Sequence, residues 1–130
     1  MIPLYKDERF DEVWPLIEKV VDKHGGYNKQ DIKDSLETGD MQAHAYEQDD
    51  SIKMAAITEI RQYPRSRVLL ILFAGGANLS GWKDTIKQYF EGFAAWNKCN
   101  EMQVIGRLGW GRIYPETKTA WAIYRHRIST

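Results

Sequence analysis

The run RVLLILFA, Arg67 to Ala74, limits what this chain can become more than any other stretch. Val68 to Phe73 are all apolar, so a strand built from them cannot show either face to water. Such a strand belongs inside a sheet covered on both sides. It is far shorter than the roughly 20 residues that cross a bilayer. The sequence continues as FAGGANLSGWKDTIKQYF, with glycines at Gly75, Gly76 and Gly81. The spacing of Trp82, Ile86, Tyr89, Phe90, Phe93 and Trp96 or Asn97 then predicts the buried side of a long helix. A glycine-bearing turn between strand and helix is a place where backbone N–H groups can converge on a phosphate.

The flanking segments supply the other elements. A helix is predicted from Asp11 to His24, with Val13, Trp14, Ile17, Val20 and Val21 on one stripe. Pro15 is tolerated only near a first turn, which sets the start at Asp11 or Glu12. HGGYN breaks this helix. Asn28, with Asp31 three residues on, reads as the N-cap of a short helix through Ile32 and Leu36 that stops at Gly39. MQAHAYEQ alternates as a strand over Met41–Gln48, Asp49-Asp50 turn the chain, and SIKMAAITEIRQY follows as the next strand. Beyond the long helix come a strand EMQVIGR, a tight helical turn GWGRIYP and a last strand TKTAWAIYRHRI. The order is helix, helix, three strands, helix, strand, short helix, strand. It implies a single α/β (α+β) domain over residues 1–130: a mixed, mostly antiparallel sheet flanked by helices, with one crossover.

Composition removes several classes of function. At 43% hydrophobic and 28% charged, the 130 residues are those of an ordinary soluble globule. No apolar run suits a membrane span, and MIPLYKDERFDE has no export-signal core. A lone cysteine, Cys99, suits a reducing compartment and reads as a structural thiol. Net charge is zero but uneven: residues 1–65 carry 14 acidic and 9 basic side chains, a balance of −5, and residues 66–130 carry 4 and 9, a balance of +5. That asymmetry suits an anion near the basic half, or equally two halves that face each other within one fold or across an oligomer, yet without a dense Lys/Arg cluster nucleic acid is not an expected partner. His24, His44 and His126 fall in separate elements, so no metal site is expected, and His24 reads as a charge partner for its helix C-terminus. No GxSxG, GK[ST] or GxGxxG pattern is present.

The element order resembles the GNAT acetyltransferase fold over nearly the whole chain. More closely, the fragments ITEIRQYPRSRVLLILFAGG, Trp82 and FAAWNKCNEMQVIGRLGWGRIYP resemble short phage-encoded GNAT-like proteins, some of which occur among virion or morphogenesis proteins. The resemblance implies that RVLLILFA is a strand splayed from its neighbour, with backbone groups of Leu72, Phe73 and Ala74 lining pantetheine. Gly75, Gly76, Ala77, Asn78, Ser80 and Gly81 would meet the pyrophosphate of acetyl-coenzyme A. Tyr114 would protonate the leaving thiolate, and Glu59 would take the proton of an amine. The turn departs from the superfamily pattern R/Q-x-x-G-x-G/A: Phe73 or Ala74 stands where Arg or Gln is usual, and Asn78, Leu79 and Ser80 replace the glycine core.

Other readings of the same residues stay open. Glu59 suits an exposed strand position, Tyr114 an aromatic plug, and Trp82, Trp96, Trp110 and Trp121 a core. If Trp110 is exposed, Arg107, Trp110 and Arg112 form an interaction surface for an anion, a partner carboxylate or DNA. The degraded turn makes the expected function non-catalytic: assembly with itself or with other phage virion proteins, in the host cytoplasm or the virion. On that reading no cofactor is required. The alternative is an acetyl-CoA-dependent N-acetyltransferase.

Overall fold

The computed structural model describes residues 1–76, 83–104 and 128. The elements are β1 (Ile2–Leu4), α1 (Phe10–His24), α2 (Lys29–Thr38), β2 (Gln42–Gln48), β3 (Ser51–Gln62), β4 (Arg67–Gly76), α3 (Lys83–Trp96) and β5 (Glu101–Val104). The described strands form one sheet in the order β1-β2-β3-β4-β5. The first three pairings are antiparallel, and β4–β5 is parallel across the α3 crossover. The α/β class, the mixed sheet and the three longer helices expected from the sequence are present; the tight turn GWGRIYP and the last strand TKTAWAIYRHRI lie outside the described residues.

Three local expectations need correction. The chain opens on a strand rather than a helix: Ile2, Pro3 and Leu4 pair with Ala45, His44 and Ala43. Three residues are too few to show alternation, and Pro3 is tolerated because β1 is an edge in the described sheet. Val20 does not join the α1 stripe and is exposed, since Phe10, Val13, Trp14, Ile17 and Val21 already fill the buried face. Trp96 is 85% exposed. Ile86, Phe90 and Ala94 set the buried face of α3, and two residues past Ala94 the helix has turned its side chain to the far side.

Turns and caps follow the local chemistry. Asn28 accepts from the Asp31 backbone N–H at 2.9 Å, and the Asp31 carboxylate accepts from the Asn28 N–H at 2.9 Å, a complete capping box. Gly39 ends α2 at φ 87°. Asp49 and Asp50 both have positive φ, as a two-residue hairpin turn requires.

Two cores lie on opposite faces of the sheet. α1 and α2 cover Ala43, Ala45, Ala55, Ile57, Leu70, Leu72 and Phe73. α3 covers Met54, Ala56, Leu69 and Ile71. Ala45, Ala55 and Gly75 stand opposite one another across β2, β3 and β4. This row of small residues lets the α1 backbone lie directly on the sheet. A Cβ on Gly75 would fall 1.9 Å from the Leu16 carbonyl oxygen.

Candidate functional site

The β3–β4 ladder is interrupted once. It runs in register from Gln62↔Arg67 to Thr58↔Ile71 and resumes at Ile57↔Phe73, so Leu72 has no partner in β3. The extra residue shifts the alternation by one. Leu70, Leu72 and Phe73 therefore all enter the α1/α2 core, and Ala74 turns to the α3 side. The parallel ladder to β5 covers Val68 to Ile71. Leu72 thus sits at a bulge in the β3–β4 ladder.

The α1–α2 connection covers this bulge. The Phe73 ring meets His24 at 5.5 Å and Tyr27 at 5.9 Å, both edge-on, and His24 and Tyr27 meet at 5.4 Å. The Gly26 N–H donates to His24 Nδ1 at 3.2 Å. Tyr27 also lines an open groove of about 540 Å³ with Ser35, Gly39, Asp40, Met41, Gln42, Glu59, Ile60 and Arg67. Glu59 is half-buried there, and both of its carboxylate oxygens meet the Arg61 guanidinium, at 3.3 and 3.5 Å. Contacts with Tyr63 and Glu59 raise the Arg61 pKa against the opposing effect of burial. Arg67 is held at 2.8 Å by the Asn97 carbonyl and at 3.3 Å by Gln62 Oε1.

Packing alone accounts for the glycine pair. Besides the Leu16 contact at Gly75, a Cβ on Gly76 would lie 2.5 Å from the Lys53 carbonyl oxygen, and φ is 141° there. Both positions exclude larger residues whatever the turn beyond them holds. Ala77, Asn78, Leu79, Ser80, Gly81 and Trp82 lie outside the described residues, as do Arg107, Trp110, Arg112 and Tyr114. Of the positions singled out from sequence, the structure therefore places Glu59 in the groove and Leu72 to Gly76 along the strand beside it.

A buried polar chain, not anticipated from the sequence, reaches the same groove. His44 is fully buried on the α3 face, edge-on to Tyr89, Phe90 and Phe93 at 5.5, 5.2 and 4.5 Å. Its Nδ1 lies 2.7 Å from Tyr89 Oη and its Nε2 2.8 Å from Thr58 Oγ1. Thr58 Oγ1 is 3.0 Å from Gln42 Oε1, and Gln42 Nε2 is 3.2 Å from the Gly39 carbonyl. The last acceptor fixes every direction. A carbonyl can only accept, so Gln42 gives it an N–H and turns its own oxygen to Thr58. Thr58 donates to that oxygen and accepts from His44 Nε2–H, which leaves Nδ1 to accept from Tyr89. Burial pushes the His44 pKa down to about 3 and raises that of Tyr89, so both are neutral near pH 7. The alternation of MQAHAYEQ carried a signal for this chain: it puts Gln42, His44 and Tyr46 on one strand face.

Among the described residues, no group of His, Cys, Asp and Glu is placed to hold a metal ion. No described helix is long and apolar enough to cross a membrane.

The fold has many solved counterparts. A probable acetyltransferase superposes with a TM-score of 0.75 at 15% identity, covering 100% of this chain and 99% of that one. A GNAT family acetyltransferase from Staphylococcus aureus gives 0.66 at 13%, covering 98% and 96%. A predicted acetyltransferase from Clostridium acetobutylicum, solved with acetyl-CoA, gives 0.62 at 9%, covering 83% and 84%. No family model matches the sequence, and no curated protein matches it significantly. At these identities the likeness is one of fold: the described residues have the GNAT acetyltransferase architecture.

Proposed function

We propose that the chain is an acetyl-CoA-dependent N-acetyltransferase. The observation that carries this reading is the bulge at Leu72, which has no partner in β3. A strand residue left without a partner on one side offers backbone N–H and C=O groups to an extended amide chain such as pantetheine. The similarity to an acetyltransferase solved with acetyl-CoA supports the same choice of ligand. Bound acetyl-coenzyme A would supply an activated acetyl group.

This chain's residues would do the rest. Glu59 takes a proton from the amine, through water or after parting from Arg61, and the amine attacks the thioester carbonyl. Tyr114 would give its proton to the thiolate that leaves. The products are an amide and free coenzyme A. Calorimetric titration with acetyl-CoA tests the reading. Micromolar affinity, about −8 kcal/mol, at least about tenfold tighter than adenosine 3′,5′-bisphosphate, is the expected result, because pantetheine would add the β4 contacts. No heat at millimolar ligand would overturn it.

A second reading rests on Trp96, whose 85% exposure at the end of α3 suits a contact surface. On it the chain is a non-catalytic phage protein that assembles with itself or with other virion proteins, in the host cytoplasm or the virion. The departures of the Phe73–Gly81 turn from the coenzyme-binding pattern favour it. Silence toward acetyl-CoA, together with a self-association lost in Trp96→Ala, would select this reading.

A further inference from the structure

One face of β3 presents both signs of charge side by side at the groove. Ile57 enters the α1/α2 core and Ile60 packs on the α3 side, so Glu59 stands on the α1/α2 face, and Arg61, two residues on, shares it. Tyr27 packs on that same core and lines the groove together with Glu59. The Glu59 carboxylate accepts from Arg61 Nε at 3.3 Å and from Nη2 at 3.5 Å, both long for a charged pair. The side chains are 26% and 40% exposed, so solutes reach them. An ion pair in such a setting contributes little, and parting its members costs little. What parting leaves behind decides which ligand can bring it about. A simple ammonium on Glu59 leaves the guanidinium without its carboxylate. A ligand that carries both signs leaves neither residue alone.

We infer that Arg61 is a specificity-determining residue that selects free α-amino acids as the amines bound at Glu59. The ammonium of such a molecule faces Glu59, and its carboxylate accepts from the Arg61 fork. An α-amino acid carries its two charges one carbon apart, which suits two groups that stand in contact. One ion pair is thereby exchanged for two. Arg61 keeps its place when Glu59 lets go, because Tyr63 also contacts it. The ligand's carboxylate takes the guanidinium from Glu59 and leaves that residue to receive an amine proton. The inference rests on the acyl-transfer reading only in taking the groove as the acceptor's.

The test uses ¹⁵N–¹H spectra of the full chain titrated with L-alanine and with L-alaninamide, which keeps the ammonium but lacks the carboxylate. Alanine is expected to shift the Arg61 Nε–H resonance and to bind about tenfold more tightly than alaninamide. Arg61→Gln should weaken alanine and strengthen alaninamide, because it removes the carboxylate's partner and frees Glu59 for a cation. A general loss of structure would weaken both. Arg61→Lys keeps the charge without the fork and serves where Arg61→Gln fails to fold; it should narrow the preference in part. Equal affinities in the wild type, no shift at Arg61, or an unchanged preference in either variant would overturn the inference. No coenzyme takes part in this readout. A wild type that prefers alanine but ignores acetyl-CoA therefore counts against the proposed activity alone.

Discussion

His44 should make this protein labile in mild acid by a calculable amount. The ring is buried among Tyr89, Phe90 and Phe93, and burial lowers its pKa from the ordinary 6.5 to about 3. Above pH 6.5 the residue is neutral whether the chain is folded or not, and it contributes no pH dependence. Between 6.5 and 3 the unfolded chain binds the proton and the folded chain does not, so stability falls as pH falls through that window. At about pH 4.5 the difference amounts to about 3 kcal/mol, roughly a hundredfold in the folded-to-unfolded ratio. Carboxylates add to acid lability too, and Glu12, whose pKa is lowered by its hydrogen bonds from Arg9, is one of them. They are isolated by comparison with His44→Gln, which can still donate to Thr58 and accept from Tyr89 but cannot titrate. Urea unfolding at pH 7 and pH 4.5 gives the two differences. The wild type should lose about 3 kcal/mol more than His44→Gln between those pH values. Equal losses would mean that the folded core admits the charged ring, and the fixed direction of the hydrogen-bond chain would fall with that result.

Two further outcomes follow from packing. Gly75→Ala places a methyl 1.9 Å from the Leu16 carbonyl oxygen, a backbone atom that can move only if α1 lifts. A loss of about 3 kcal/mol, seen as a melting temperature lowered by about 10 °C, is expected, and an unchanged melt would refute the close seating of α1. In α3, Phe90→Ala should cost about 3–5 kcal/mol and Trp96→Ala within about 0.5 kcal/mol, measured by denaturant unfolding. A large loss at Trp96 would show that its ring is covered in solution.

The fold was legible because most elements carry their own local signals. The all-apolar run from Val68 to Phe73 required two covering layers, and both cores exist. Asn28, Asp31 and Gly39 bound α2 through contacts within a few residues, so sequence spacing suffices to find them. β1 escaped because a three-residue strand exists only through its partner β2. The candidate site was less legible for the same reason. A bulge is a mismatch between two strands: Leu72 in isolation is one more apolar residue, and only the register of β3 marks it as extra. The chain from Tyr89 to Gly39 joins α3, β2, β3 and the end of α2, with 45 positions between Tyr89 and His44. Periodicity could place Gln42 and His44 on one face but could not bring Tyr89 and Thr58 to them.

These findings change where the function should be probed. A glycine pair between strand and helix invites mutation as a phosphate cradle, yet Gly75 is required by the Leu16 carbonyl and Gly76 by the Lys53 carbonyl and its positive φ. Loss of coenzyme binding after substitution at either would follow from displaced backbone whether or not a phosphate ever sits there. Leu72 separates the alternatives better, because its bulge is set by strand register and not by either of those glycine contacts.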